Sequence, residues 1–265
     1  MARTGAPCFF TLAGKTKWYE MDKIPLEMQS DESVIRFRDC FSVRYIQSAA
    51  VLCRLGYGIE QACRTAEDPA PDFLLRHEAF ILNSVLSTVA FLESTINELY
   101  ADAADDACPF TDGKHEALLR TIAGKWQNGK NFDRAPMIDK YQKILSIGGA
   151  PVFDEDDQAF ANIRMLIGIR NYLMHYKREW VVIRERGVAA TGEETTADKF
   201  EKILRKKFAL NPLAAKNLPF FPDKCLGHGC AEWAIANSLI LTDEFFRRLD
   251  LPAPYEGIRE ELRTR

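Results

Sequence analysis

The residues of this sequence best suited to chemistry are Arg170, Asn171 and His175, in the middle of the apolar stretch from Gln158 to Trp180. A helix that is apolar all round is normally buried, and burying a guanidinium without a partner is costly. The arginine is therefore expected either to be paired inside the fold or to be kept for chemistry. At about 100° per residue, Asn171 and His175 lie one turn apart on one face, whereas Arg170 lies about 140° around the helix from His175. The amide is thus placed to orient the imidazole.

The order and spacing of these residues resemble a family motif. Arg170, then Asn171, three mostly apolar residues and His175, late in a long helix, are similar to the arginine, four to six residues, histidine motif of the HEPN superfamily. Members of this superfamily are small helical bundles, and many are metal-independent ribonucleases of toxin and antiphage systems. The motif lies in the most apolar helix of the chain, and helices are predicted before and after it in the expected order. The resemblance covers about residues 74–249, with 187–228 as an insertion.

The resemblance implies cleavage of RNA without a metal ion or other cofactor. A ribose 2′-hydroxyl would attack the adjacent phosphate and leave a cyclic phosphate and a 5′-hydroxyl end. His175 would move the proton, Arg170 would stabilise the charge on the phosphorane, and Asn171 would hold the imidazole or the scissile phosphate. Tyr176 and Lys177 are further candidates for substrate contact. Lys177 stands where one branch of the family has a regulatory tyrosine, so the tyrosine modification of that branch is not expected here.

The mechanism also predicts partners. One histidine cannot be both acid and base in a single step, so a homodimer that brings a second motif helix alongside the first is favoured. The resemblance further implies a toxin or antiphage defence system, in which an antitoxin or another defence protein would be a partner in addition to RNA.

Two alternatives stay open for this motif. In one, Arg170 forms an internal ion pair and His175 is a satisfied core histidine. Glu93, one turn from Asn97 beside an apolar stripe, is the carboxylate predicted to pair with Arg170, and a solvated Glu93 on the polar edge of its helix is the simpler interpretation. In the other, the chain is a non-catalytic HEPN-like module that binds RNA, a nucleotide or a protein partner.

The predicted fold is all-α, an HEPN-like helical bundle with an N-terminal extension and an insertion before the last helix. Residues 1–72 are expected to form the extension, with one or two helices, and its first 30 or so residues either hold one or two short strands or pack as an arm. Residues 73–250 form the bundle and 251–265 a C-terminal tail. The turn-rich segment Asp68–Phe73 is the predicted boundary between the first two.

Apolar residues that recur at spacings of three and four predict the helices. Those of the bundle are expected at Leu74–Ala104, Glu116–Trp126, Pro136–Ile147, Glu155–Val182, Asp198–Leu210 and Cys230–Leu249. Before them, a helix from Ser33 to about Ala66 is predicted to break into two at Gly56 and Gly58. Four acids, Asp154–Asp157, favour the start of the motif helix, because negative charge opposes the positive helix terminus. The basic helix Asp198–Leu210 is interpreted either as a solvated face or as a phosphate-contacting wall near the site.

The composition fits a globular chain with no global attraction to nucleic acid. Its 265 residues are 47% hydrophobic and carry a formal net charge of −3, so any RNA contact must come from local basic patches.

The most apolar window, Ala79–Leu92, is interrupted by polar residues, so no membrane span is expected. Seven cysteines with irregular spacing suit reduced thiols and a cytoplasmic location. Cys225, His228 and Cys230 cluster, but structural zinc needs four ligands and the sequence has no second cluster, so no metal site is predicted.

Overall fold

The fold is mainly helical, as the all-α prediction expected. The computed structural model describes residues 7–12, 15–20, 36–38, 40–65, 72–104, 116–128, 134–178 and 195–265. The described part near the N-terminus forms a small antiparallel sheet of three strands, in the order β2-β1-β3. The strands are β1 (Pro7–Leu12), β2 (Lys15–Glu20) and β3 (Arg36–Arg38). In this sheet Phe9 of β1 lies opposite Trp18 of β2 and Arg38 of β3.

Seven α-helices follow in the described residues. They are α1 (Phe41–Thr65), α2 (Phe73–Ala103), α3 (Glu116–Asn128), α4 (Met137–Ile147), α5 (Gln158–Met174), α6 (Thr196–Leu204) and α7 (His228–Leu249). A short wide helical turn, Phe220–Lys224, precedes α7, and a 3-10 helix, Glu256–Leu262, follows it. The predicted bounds of α2, α3, α4 and α7 differ from these by at most two residues at either end. Regular apolar periodicity is therefore enough to locate them.

The prediction for the first helix is wrong at its start and in its interior. Residues 36–38 form β3, and α1 runs unbroken from Phe41 to Thr65, while the predicted start at Ser33 lies outside the described residues. Gly56 does not end the helix. A Cβ added at Gly56 would lie 2.5 Å from Cδ1 of Ile81, so the glycine allows α2 to pack closely against α1.

The chain divides into two compact units. The first comprises the described residues of Met1–Arg44, Phe91–Val152 and Phe245–Pro254, and the second those of Tyr45–Ala90, Phe153–Glu244 and Tyr255–Arg265. Most of the boundary predicted at Asp68–Phe73 lies outside the described residues and stays a prediction.

The core of the first unit is built around Tyr141 of α4, which is fully buried. Its hydroxyl donates a hydrogen bond to the Leu92 carbonyl at 2.8 Å, and its ring packs edge-on against Phe245 with centroids 4.8 Å apart. The neighbouring Lys140 is only 1% exposed, and its ammonium donates to the side-chain oxygen of Asn97 at 2.8 Å. The polar groups that enter this core are therefore hydrogen-bonded, as burial requires.

In the second unit, polar contacts join the helices that position α5. The hydroxyl of Ser84 on α2 donates to the Ala49 carbonyl on α1 at 2.8 Å. On α5, the Asn162 amide donates to the side-chain oxygen of Asn237 on α7 at 2.6 Å. Gln158 donates in turn to Asn162 at 2.9 Å, so an amide ladder fixes α5 against α7 over its first turns.

Candidate functional site

The helix that carries the motif is shorter than predicted. It spans Gln158–Met174 instead of residues 155–182. Asp157 is its N-cap, because the Asp157 carboxylate accepts hydrogen bonds from the backbone N–H groups of Ala159 and Phe160 at 3.0 and 3.4 Å. The helix ends at His175, whose φ of −114° and ψ of 33° are not helical. Ile169 is the last fully buried residue of α5, whereas the apolar pattern of the sequence continues beyond it. The buried contacts that stabilise the helix therefore end before the apolar pattern does.

The motif residues lie at the surface end of α5 and not inside the fold. Arg170 is half-buried, whereas Asn171, His175 and Lys177 are exposed and Tyr176 is 56% exposed. The alternative in which His175 is a satisfied core histidine is therefore wrong, whereas the half-buried Arg170 leaves its internal ion pair a prediction. The backbone N–H of His175 donates to the Asn171 carbonyl at 2.9 Å, which holds the last turn closed and leaves the imidazole beyond the helix end.

The predicted partner of Arg170 is exposed. Glu93 lies on the solvent side of α2, in the first unit, whereas Arg170 belongs to the second unit. The solvated interpretation of Glu93 therefore fits its exposure, and its pairing with Arg170 stays a prediction.

A groove of about 350 Å³ lies between α5 and α6, and we call it the α5–α6 groove. Its lining includes Glu155, Arg164, Met165, Gly168, Phe200 and Ile203. Gly168 follows Arg164 and Met165 by four and three residues, and the next positions on this face are Tyr172 and, just past the end of α5, His175. The face of α5 that lines the groove therefore leads towards the histidine of the motif.

The helix α6 is shorter than predicted and well capped. It spans Thr196–Leu204, whereas the prediction reached Leu210. The Thr195 hydroxyl accepts from the Asp198 N–H while the Asp198 carboxylate accepts from the Thr195 N–H, which is a capping box. Residues 205–207 form a turn at the end of the helix, in which the N–H of Lys207 donates to the Leu204 carbonyl. Of the predicted basic face, Lys199 and Lys202 lie within the helix and are exposed.

A buried polar centre, which the sequence analysis missed, lies around Glu60. One oxygen of this carboxylate accepts from the Nε2 of His77 at 2.9 Å and from the backbone N–H of His228 at 2.7 Å. Glu60, His77 and His228 are 5%, 2% and 5% exposed. The His228 N–H is one of the donors that a helix start leaves without an intrahelical partner, so Glu60 caps α7 from a distance of 168 residues in sequence. No local sequence signal connects these three residues.

The last residues of the chain pack beside this centre. The Nε2 of His228 donates to the Thr264 carbonyl at 3.2 Å, and its ring lies 4.6 Å from that of Tyr57. The Glu232 carboxylate accepts from Thr264 at 2.9 Å and from Arg265 at 2.7 Å. Burial acts to raise the pKa of Glu232, but these two hydrogen bonds and the electrostatic attraction of His228 and Arg265 together outweigh it, and the pKa is lowered.

The cluster of Cys225, His228 and Cys230 at the start of α7 is a packing feature. Cys225 and Cys230 are fully buried, and a hydrogen bond between their thiols together with burial raises the pKa of Cys230. Burial and the nearby carboxylates of Glu232 and Glu60 raise the pKa of Cys53 to about 12. Within the described part of the chain, no group of three or more His, Cys, Asp or Glu side chains is arranged to hold a metal ion.

Comparison with known proteins gives no relative: no family model, no curated protein and no solved structure matches this chain. Among the described residues, α2 is long and apolar enough to cross a membrane. Half of its most apolar window is buried within the protein, and the core helix of a globular protein passes the same test of length and composition.

Proposed function

We propose that this protein is a metal-independent endoribonuclease of a toxin or antiphage defence type, with an HEPN-like bundle and a site formed by Arg170, Asn171 and His175. The observation that carries the proposal is the exposure of His175 at the end of α5, with Arg170 five residues before it on the same helix and partly exposed. An imidazole and a guanidinium that both reach solvent within one and a half turns are accessible to a phosphodiester.

Each residue has a role in the proposed reaction. The imidazole of His175 takes the proton of a ribose 2′-hydroxyl, and the 2′-oxygen attacks the adjacent phosphorus. The bond to the 5′-oxygen then breaks, which leaves a 2′,3′-cyclic phosphate and a 5′-hydroxyl. The Arg170 guanidinium stabilises the negative charge on the phosphorane through charge-assisted hydrogen bonds. Asn171, which is exposed next to Arg170, contacts the scissile phosphate, while Tyr176 and Lys177 contact the flanking nucleotides.

A second copy of the chain completes the proposed site. The leaving 5′-oxygen needs a proton, and the His175 that has just accepted one cannot deliver another in the same step. Met174 and Tyr176 flank His175 and are 59% and 56% exposed. Apolar surface beside the motif is what a homodimer would cover, and that contact would place the His175 of the partner subunit near the leaving group.

The direct test compares four purified proteins on total RNA in the presence of EDTA. Wild type is expected to cleave RNA, because no step needs a metal ion. His175→Ala is expected to lose about 10²–10⁴-fold in rate, which is the usual contribution of general acid–base catalysis. Arg170→Lys keeps the charge but loses the planar set of donors, and is expected to lose about 10²–10³-fold. Lys143→Ala removes an exposed cation of α4 and is the matched control, expected to cleave like wild type.

The outcome of this comparison decides between the enzyme and the binding module. Intact RNA with wild type would contradict the ribonuclease proposal and favour a non-catalytic module that binds RNA, a nucleotide or a protein. Equal loss in His175→Ala and Lys143→Ala would show that the effect of the histidine is not chemical.

A further inference from the structure

The α5–α6 groove has the size and lining of a site for one small, partly apolar group. Its volume of about 350 Å³ lies at the lower end of the range for ligand pockets, about 300–1,000 Å³. Met165, Phe200 and Ile203 supply apolar surface, and Ile203 is 43% exposed. The space exists in part because Gly168 has no side chain. A Cβ added there would lie 3.7 Å from Cε1 of Phe200, in ordinary contact, so a longer side chain would extend into the groove.

A line of aromatic rings connects the groove to the motif. The ring of Tyr172 packs edge-on against Phe200 of the groove, with centroids 5.8 Å apart. On its other side it packs edge-on against Tyr176, next to His175, with centroids 5.5 Å apart. Gly168 and His175 are seven residues apart, which is about 10 Å along a helix. A nucleotide in the groove and a phosphate at His175 can therefore belong to one short stretch of RNA.

The charge around the groove fits a phosphate backbone. Arg164 lines the groove and pairs at 3.3 Å with Glu155, and both side chains are more than half exposed, so the pair is readily exchanged for a phosphate contact. Residues 195–207, on the α6 side, contain five basic and two acidic side chains, a net charge of +3. One of these acids, Asp198, is engaged in the capping box of α6, and the other, Glu201, pairs with Arg205.

We propose that the α5–α6 groove binds a nucleobase of the RNA, one or two nucleotides from the scissile phosphate. This inference rests on the proposed function for its substrate. The apolar and aromatic lining contacts the base, and the cations of Arg164 and α6 contact the adjoining phosphates. Such contacts discriminate little between bases, so the groove positions the strand more than it selects a sequence.

Methionine methyl groups provide separate reporters for the groove and for the motif. Three of the six methionines lie in the described residues: Met165 in the groove, Met174 beside His175, and Met137, buried in α4 of the first unit. The probe is a tetraribonucleotide with 2′-O-methyl groups, which removes the attacking hydroxyl. Titrated into full-length protein carrying ¹³C-methyl methionine, it is expected to shift the Met165 and Met174 signals and to leave Met137 in place.

Variants of the groove sharpen the test. Gly168→Leu fills the groove and is expected to weaken probe binding by about tenfold or more and to abolish the Met165 shift. Gly168→Ala adds only a methyl group and is expected to bind within about threefold of wild type. Gly58→Leu, at an exposed position of α1 where an added Cβ meets nothing within 4 Å, is the matched control. Ile203→Asp places a carboxylate at the groove without filling it and is also expected to weaken binding, which covers the case in which Gly168→Leu does not fold.

The results separate the groove from the proposed function. A Met174 shift without a Met165 shift, or full binding by both Gly168→Leu and Ile203→Asp, would overturn the groove proposal and leave the ribonuclease proposal intact. A Met165 shift in a protein that cleaves no RNA would keep the groove as an RNA site and contradict the enzyme. No shift at a saturating probe concentration would overturn the groove proposal.

Discussion

Removal of the Glu60 carboxylate should strongly destabilise the protein, although no local sequence signal marks this residue. Glu60→Ala leaves the His77 Nε2 and the His228 N–H without their acceptor inside the protein, where each group is at most 5% exposed. A buried donor that loses its partner costs about 1–3 kcal/mol, so the two together cost about 2–6 kcal/mol. Glu60→Gln keeps an oxygen that can accept both bonds and is expected to cost about 1 kcal/mol or less.

Two measurements check this prediction. Urea unfolding gives the change in the free energy of unfolding, with Glu78→Ala, an exposed glutamate of α2, as the control expected within about 0.5 kcal/mol of wild type. Hydrogen exchange of the His228 amide reports the lost cap directly, and it should become faster in Glu60→Ala. If Glu60→Ala and Glu78→Ala unfold alike, or if exchange at His228 is unchanged, the capping role of Glu60 is refuted.

Two further predictions concern packing and pH. Gly229→Ala should destabilise the protein by about 1–3 kcal/mol or more, because the added Cβ would lie 2.3 Å from the backbone oxygen of Ala209. Gly58→Ala, where an added Cβ meets nothing within 4 Å, should be neutral or stabilising. Thermal unfolding of the two variants tests this prediction, and equal melting temperatures would contradict it. Burial raises the pKa of Glu98 above 4.5, against the opposing hydrogen bonds from Ser42. A carboxyl whose pKa is higher in the folded than in the unfolded protein stabilises the fold at pH below the unfolded pKa, and this contribution is lost as pH rises through the folded pKa. The free energy of unfolding in urea should therefore fall for wild type relative to Glu98→Gln from about pH 4.5 upward. A difference that does not change with pH would contradict the assignment.

The spacing of apolar residues predicted those helices whose apolar residues are buried. The bounds of α2 and α7 follow from apolar residues at spacings of three and four, and Asp157 caps α5 within the acidic run that the sequence singled out. The end of α5 could not be found in this way. Its sequence stays apolar to Met174 and beyond, but only the residues up to Ile169 are buried, and burial depends on contacts that the sequence does not show.

The sequence placed the motif residues near one end of a helix but did not predict their exposure. Arg170 and His175 both lie towards the C-terminal end of α5, where the structure leaves Arg170 half-buried and His175 exposed. The centre around Glu60 had no signal at all, because its residues are 17 and 168 positions apart and only the packing of α1, α2 and α7 brings them together. The α5–α6 groove likewise depends on the contact of two helices, and Gly168 alone did not predict it.

The proposed reaction cuts RNA through its own 2′-hydroxyl at His175. The decisive experiment incubates two short RNAs in EDTA, identical except for a 2′-deoxynucleotide on the 5′ side of the cleaved bond, and identifies the product ends by mass spectrometry. With wild type we expect a 2′,3′-cyclic phosphate and a 5′-hydroxyl from the unmodified RNA and no product from the deoxy-substituted RNA at that bond. With His175→Ala we expect little product from either RNA. Cleavage of the deoxy-substituted bond, or wild-type rates with His175→Ala, would contradict it.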